Sequence, residues 1–82
     1  MTGASEAVLR TIAAVPVAAD GLDQGLAELS ARLPTLTRNE IEAAVQSLVD
    51  AGLALEPVRL PEGALQCHWR LEPSPAGRAA LR

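Results

Sequence analysis

Leu36-Thr37-Arg38-Asn39-Glu40-Ile41-Glu42-Ala43-Ala44-Val45-Gln46-Ser47-Leu48-Val49-Asp50-Ala51-Gly52-Leu53 carries helix signals at both of its ends. Thr37 suits the N-cap, where a hydroxyl accepts from an otherwise orphaned amide of the first turn. Glu40, three residues on, can reach back to the Thr37 amide and complete a capping box. Leu36 and Ile41 stand at hydrophobic-staple positions on either side of that cap. Gly52 supplies a left-handed residue just past the end, and Leu53 can then fold back on Leu48 in a Schellman ending. Between the caps, Ile41, Ala44, Val45, Leu48 and Val49 form one apolar stripe at helical spacing. The stretch predicts a helix over about 37–51, around which the rest of the chain is arranged.

Upstream, Leu22, Leu26, Leu29 and Leu33 recur at helical spacing and predict a buried stripe on a helix over about 21–33. Asp20 is the expected cap, Asp23 favours the first turn, Gly25 marks a close helix approach, and Pro34 closes the helix. Pro34-Thr35-Leu36 then makes a tight turn, and two amphipathic helices joined this way read as a helix-turn-helix. Further back, Ser5 is expected to cap a first helix over about 5–15, with Val8, Leu9, Ile12 and Ala13 on its apolar face. Pro16 stops it. Residues 17–19 make a short extended rung.

Downstream of Gly52 the period changes to two. Leu53 and Leu55 alternate with Ala54 and Glu56, Pro57 shifts the phase, and Val58 and Leu60 resume it, as at a bulge or an edge strand. Pro61-Glu62-Gly63 is a turn. Leu65, Cys67, Trp69 and Leu71 then face one way and Gln66, His68, Arg70 and Glu72 the other, giving a hairpin over about 53–72. Trp69 shares its face with Leu65, Cys67 and Leu71, which favours a place in the core over the alternative of an exposed anchor in an interface. Ser74 as N-cap and Pro75 at the first helical position start a last short helix over about 75–81.

The order is helix, extended rung, helix, turn, helix, hairpin, short helix. It resembles a winged-helix domain, with 36–53 similar to the third helix of that superfamily and 53–72 to its wing. The segment Leu71-Glu72-Pro73-Ser74-Pro75-Ala76-Gly77-Arg78-Ala79-Ala80-Leu81 is similar to the stretch after the wing in MarR-like and PadR-like transcription regulators. The fold expected is therefore α+β, a small winged helix-turn-helix with a three-helix core, a two-stranded wing and a short C-terminal helix, as one domain over 1–82. In those families a long dimerising helix often comes next, whereas this sequence stops at Arg82.

Composition sets the bounds. Eighty-two residues suit a single small domain, and 49% apolar content argues against disorder. The core must be aliphatic, since Trp69 is the only aromatic residue. The lone Cys67 makes neither an internal disulfide nor a zinc site by itself. No apolar run is long enough to span a membrane, and the N-terminus lacks the basic start and apolar run of a secretory signal. A soluble, cytoplasmic protein is expected, with no membrane partner. The net charge of −3 is uneven: residues 1–56 set three arginines against eight carboxylates, a balance of −5, while residues 57–82 set four arginines against two carboxylates, a balance of +2.

The resemblance implies that the third helix enters the DNA major groove and the wing touches backbone or minor groove. Arg38, Asn39 and Gln46 are then the base readers, because Arg reads guanine edges and Asn and Gln read adenine edges. Arg59, His68, Arg70 and Arg78, with Arg82, are the candidates for wing and backbone contacts. The same side chains also suit an ordinary solvated surface, and Glu40, Glu42 and Asp50 oppose phosphate. Adjacent Cys67 and His68 would point to opposite faces of a strand, so they do not make a catalytic dyad. No phosphate loop, metal motif or nucleophile elbow is present, and no enzyme and no cofactor are expected. Two functions remain in view: a nucleic-acid-binding module of a prokaryotic transcription regulator, with double-stranded DNA as partner, and an acidic protein–protein interaction or self-associating module, or an accessory domain of a larger assembly. The pI near 4.9 counts toward the second.

Overall fold

The computed structural model describes residues 3–55 and 69–82. Within them the order is α1 (Gly3–Ala14), β1 (Val17–Ala19), α2 (Leu22–Arg32), α3 (Arg38–Asp50), β2 (Trp69–Leu71) and α4 (Pro75–Ala80), so the fold is α+β. The hairpin expected over 53–72 falls largely outside the described residues, as do Arg59, Cys67 and His68. At its base, Ala54 bridges Pro73 in antiparallel fashion, and the Leu55 N–H donates to the Glu72 carbonyl at 3.0 Å.

α3 forms as its local chemistry dictates. The Thr37 hydroxyl accepts from the Glu40 N–H at 3.1 Å, and the Glu40 carboxylate accepts from the Thr37 N–H at 3.0 Å, completing the capping box. At the other end Gly52 takes φ 74°, a left-handed conformation that costs glycine nothing. The Leu53 N–H reaches the Leu48 carbonyl at 2.9 Å and the Gly52 N–H reaches that of Val49 at 3.0 Å, the two bonds of a Schellman ending.

Two other expected caps are corrected. α1 begins at Gly3, so Ser5 lies inside the first turn, where it is buried, and not at the position before the helix. α2 is capped by Gly21 in an extended conformation with no side-chain bond, and Asp20 instead donates its N–H to Gln24 Oε1 at 2.8 Å. The leucine stripe of α2 is also narrower than its spacing implied. Leu26 and Leu29 are buried and Leu33 is partly buried, but Leu22, on the first turn, is 38% exposed.

The extended rung after α1 has a partner. β1 pairs antiparallel with β2 in the register Val17–Leu71, Ala18–Arg70 and Ala19–Trp69. Alternation puts Val17, Ala19, Trp69 and Leu71 inside and leaves Ala18 and Arg70 facing out. α3 packs on α1 and α2, and α2 also lies against both strands. Val8, Leu9 and Ile12 of α1, Leu26 and Leu29 of α2 and Ile41, Ala44, Val45 and Leu48 of α3 join the inward residues of the sheet in one core. Helices of 11 to 13 residues are marginal alone, so it is this burial that holds them. Each fully buried Leu or Ile contributes about 1.5–3 kcal/mol. An exposed ion pair contributes about 0–1 kcal/mol, so the core outweighs the surface arginine–carboxylate pairs.

Two glycines sit where backbone meets neighbour. Gly25 of α2 lies against the six-membered ring of Trp69, so the close approach expected at this position is to an indole and not to another helix. Gly77 of α4 lies against the Leu53 carbonyl and the Leu9 side chain. α4 is fixed by Ser74, whose hydroxyl accepts from the Gly77 N–H at 3.0 Å and donates to the Gly52 carbonyl at 2.6 Å. Ser74 as N-cap and Pro75 at the first helical position stand as expected.

Candidate nucleic-acid interface

Burial of Ile41, Ala44, Val45 and Leu48 turns the opposite side of α3 outward. Arg38, Asn39, Glu42, Ala43 and Gln46 are all exposed there, along the side that no described element covers. Asn39, Glu42, Ala43 and Gln46 fall at helical spacing on a single face, with Arg38 beside them at the first position of the helix.

Three of the candidate side chains are engaged with neighbours. Arg38 Nη2 donates to Asp23 Oδ1 at 2.6 Å, across the turn between α2 and α3. Gln46 Nε2 donates to Asp50 Oδ1 at 2.8 Å, one turn along its own helix. Arg70 Nε donates to Glu72 Oε2 at 3.1 Å on the outer face of β2. Asn39 and Arg78 make no such side-chain bond among the described residues. The pairing extends beyond the candidates: Arg10 contacts Glu6 at 2.8 Å, and Arg32 contacts Glu28 at 2.5 Å and the Val15 carbonyl at 2.6 Å.

The described candidates stand on three different elements. Arg38, Asn39 and Gln46 share α3. Arg70 stands on β2 opposite the small Ala18, with its side chain 62% exposed. Arg78 belongs to α4, which is tied to the C-terminal end of α3 through Ser74 and Gly52, whereas Arg38 is at the N-terminal end, about 20 Å away along a 13-residue helix. Arg59 and His68 lie outside the described residues.

The residue missed by sequence reasoning is Asp23. Its place in the first turn of α2 suggested only a helix-dipole role. Its bond to Arg38 depends on how α2 and α3 cross, which no local signal announces.

The Glu40 carboxyl has a shifted titration. The Thr37 N–H, and after it the Thr37 hydroxyl, hold the Glu40 carboxyl below the ordinary glutamate range. That carboxylate is therefore charged at neutral pH and contributes negative charge at the start of α3. Among the described residues, no group of three or more His, Cys, Asp and Glu side chains could hold a metal ion, and no helix is long and apolar enough to cross a membrane. Comparison with protein-family models, curated proteins and solved structures finds no match to this chain.

Proposed function

We propose that the chain is a non-enzymatic winged-helix module that binds duplex DNA through α3, as in prokaryotic transcription regulators. The observation that carries the reading is the uncovered face of α3, which offers Arg38, Asn39 and Gln46 to solvent in sequence along one helix. A helix about 10–12 Å across fits the major groove, and these side-chain types match guanine and adenine edges. The element order supports the winged-helix reading too. A strand between the first two helices pairs with one that comes after the third, and Ala54 bridges to Pro73 just beyond it. The ion pairs of Arg10, Arg32 and Arg70 do not oppose DNA strongly, because surface pairs are worth only about 0–1 kcal/mol.

A second reading is favoured by a separate observation. Arg10, Arg32, Arg38 and Arg70 each contact a carboxylate, so much of the described positive charge is already neutralised. An acidic module that docks a protein or a second copy of itself fits that surface. Fluorescence anisotropy with mixed-sequence duplex DNA, at low and at physiological salt, separates the two. DNA binding gives an affinity that falls steeply with salt through counterion release. Absence of binding at low salt rejects it and favours the interaction module.

A further inference from the structure

Among the ion pairs of the described residues, Asp23–Arg38 alone ties one helix to another. Its bond of 2.6 Å joins the first turn of α2 to the first residue of α3. Asp23 is 89% exposed and Arg38 55%, so the pair adds little to stability. Nor does Arg38 gain from the helix dipole, since positive charge is disfavoured at a helix N-terminus. What the bond does is give direction to a long, otherwise mobile side chain.

We propose that Asp23 is a positioning residue for DNA recognition, holding Arg38 so that its guanidinium meets a guanine in a fixed orientation. The proposal rests on the DNA reading of α3. Arginine carries five N–H donors in a rigid fork, and Asp23 is bonded through Nη2 alone. Nη2 carries two hydrogens, one on each donor edge of the guanidinium. A bond to Asp23 through one of them leaves the other edge, Nη2 with either Nε or Nη1, for the O6 and N7 acceptors of guanine, the bidentate contact that distinguishes this base. Both partners sit on packed helices, and ordering the side chain in advance reduces the entropy lost when DNA arrives. Asp23 also repels phosphate. It therefore lowers affinity for DNA in general while sharpening choice among sequences.

That opposition of effects makes the test specific. Selection from a duplex library with a randomised centre, followed by sequencing, is run with the full 82-residue chain and its Asp23→Ala, Asp23→Asn and Arg38→Ala variants. Thermal melts check that each variant is folded. The wild type is expected to prefer guanine at one position by about fivefold or more, the lower end for a bidentate contact. Arg38→Ala abolishes that preference. Asp23→Ala abolishes it at the same position while binding mixed-sequence DNA at least as tightly as the wild type. Asp23→Asn, which keeps an oxygen acceptor, retains it. A purely structural ion pair would not produce this split between affinity and selectivity. Retention of the guanine preference by Asp23→Ala overturns the positioning role and leaves the DNA reading intact. So does a wild type that binds without preference, or an Arg38→Ala variant that keeps it. A wild type that binds no DNA at low salt overturns the DNA reading itself, and the positioning role with it.

Discussion

Gly25 and Trp69 meet so closely that a methyl group on the Gly25 α-carbon would overlap Cε3 and Cζ3 of the indole. The indole is 3% exposed and is held by the β1–β2 pairing on one side and α2 on the other. Gly25→Ala, normally a gain of nearly 1 kcal/mol in a helix, should instead destabilise by about 1–3 kcal/mol. Urea denaturation measures this. With Trp69→Leu, which removes the obstructing ring, the loss in the double variant should fall short of the sum of the two single losses by at least about 0.5 kcal/mol.

Gly77 supports a parallel prediction with an internal control. A Cβ there would overlap the Leu53 carbonyl oxygen and approach Leu9 Cδ1 at 3.2 Å, whereas a Cβ on Gly3 meets nothing within 4 Å. Gly77→Ala should cost about 1–3 kcal/mol by forcing α4 away from Leu53 and from Leu9 of α1. Gly3→Ala should be neutral or stabilising by up to about 1 kcal/mol. Opposite signs in paired melting curves are the expected result.

The capping box gives stability a pH dependence. The Glu40 carboxyl titrates below its ordinary range when folded, so the unfolded chain binds that proton more readily and stability rises with pH. The contribution is complete above the range of an unfolded glutamate and is lost as pH falls through that range to the folded value. Glu40→Gln keeps an acceptor for the Thr37 N–H but does not titrate. The wild type should be the more stable at neutral pH and lose its advantage in acid, as followed by denaturant midpoints across pH. Thr37→Ala should cost about 1 kcal/mol at neutral pH.

If α3 reads bases and β2 steadies the backbone, Gln46→Ala and Arg70→Ala should differ in kind. Gln46→Ala should alter sequence preference. Arg70→Ala should weaken binding to all duplexes alike and reduce the salt slope by about one. Anisotropy against several duplexes over a salt series distinguishes them. An unchanged affinity in Arg70→Ala would remove β2 from the interface.

Legibility in the sequence tracked the range of the interaction. α3 was readable because Thr37, Glu40 and Gly52 act within a few residues of themselves, and the inward facing of Trp69 and Leu71 was readable from alternation. The caps of α1 and α2 differ from expectation because α1 begins two residues before Ser5 and α2 takes Gly21, one residue after Asp20, as its cap. Leu22 satisfied the helical period, yet the first turn of α2 lies at the rim of the core. The partners of β1, Gly25 and Gly77 lie far along the chain and became visible only once the elements were packed. The face of α3 was legible in its residues but not in its electrostatics, since Asp23 reaches Arg38 across the turn between two helices.

Ser74 accepts a bond from Gly77 and donates one to Gly52, whose carbonyl is oriented only after Gly52 has turned left-handed. In kinetic terms α4 is expected to be a late addition, because its Ser74 bond uses a carbonyl at the end of α3. Ser74→Ala is therefore expected to speed unfolding and leave the folding rate nearly unchanged. The Gly77 amide, bonded to that same hydroxyl, becomes a natural reporter in hydrogen exchange, opening whenever the end of α3 frays and before the core lets go.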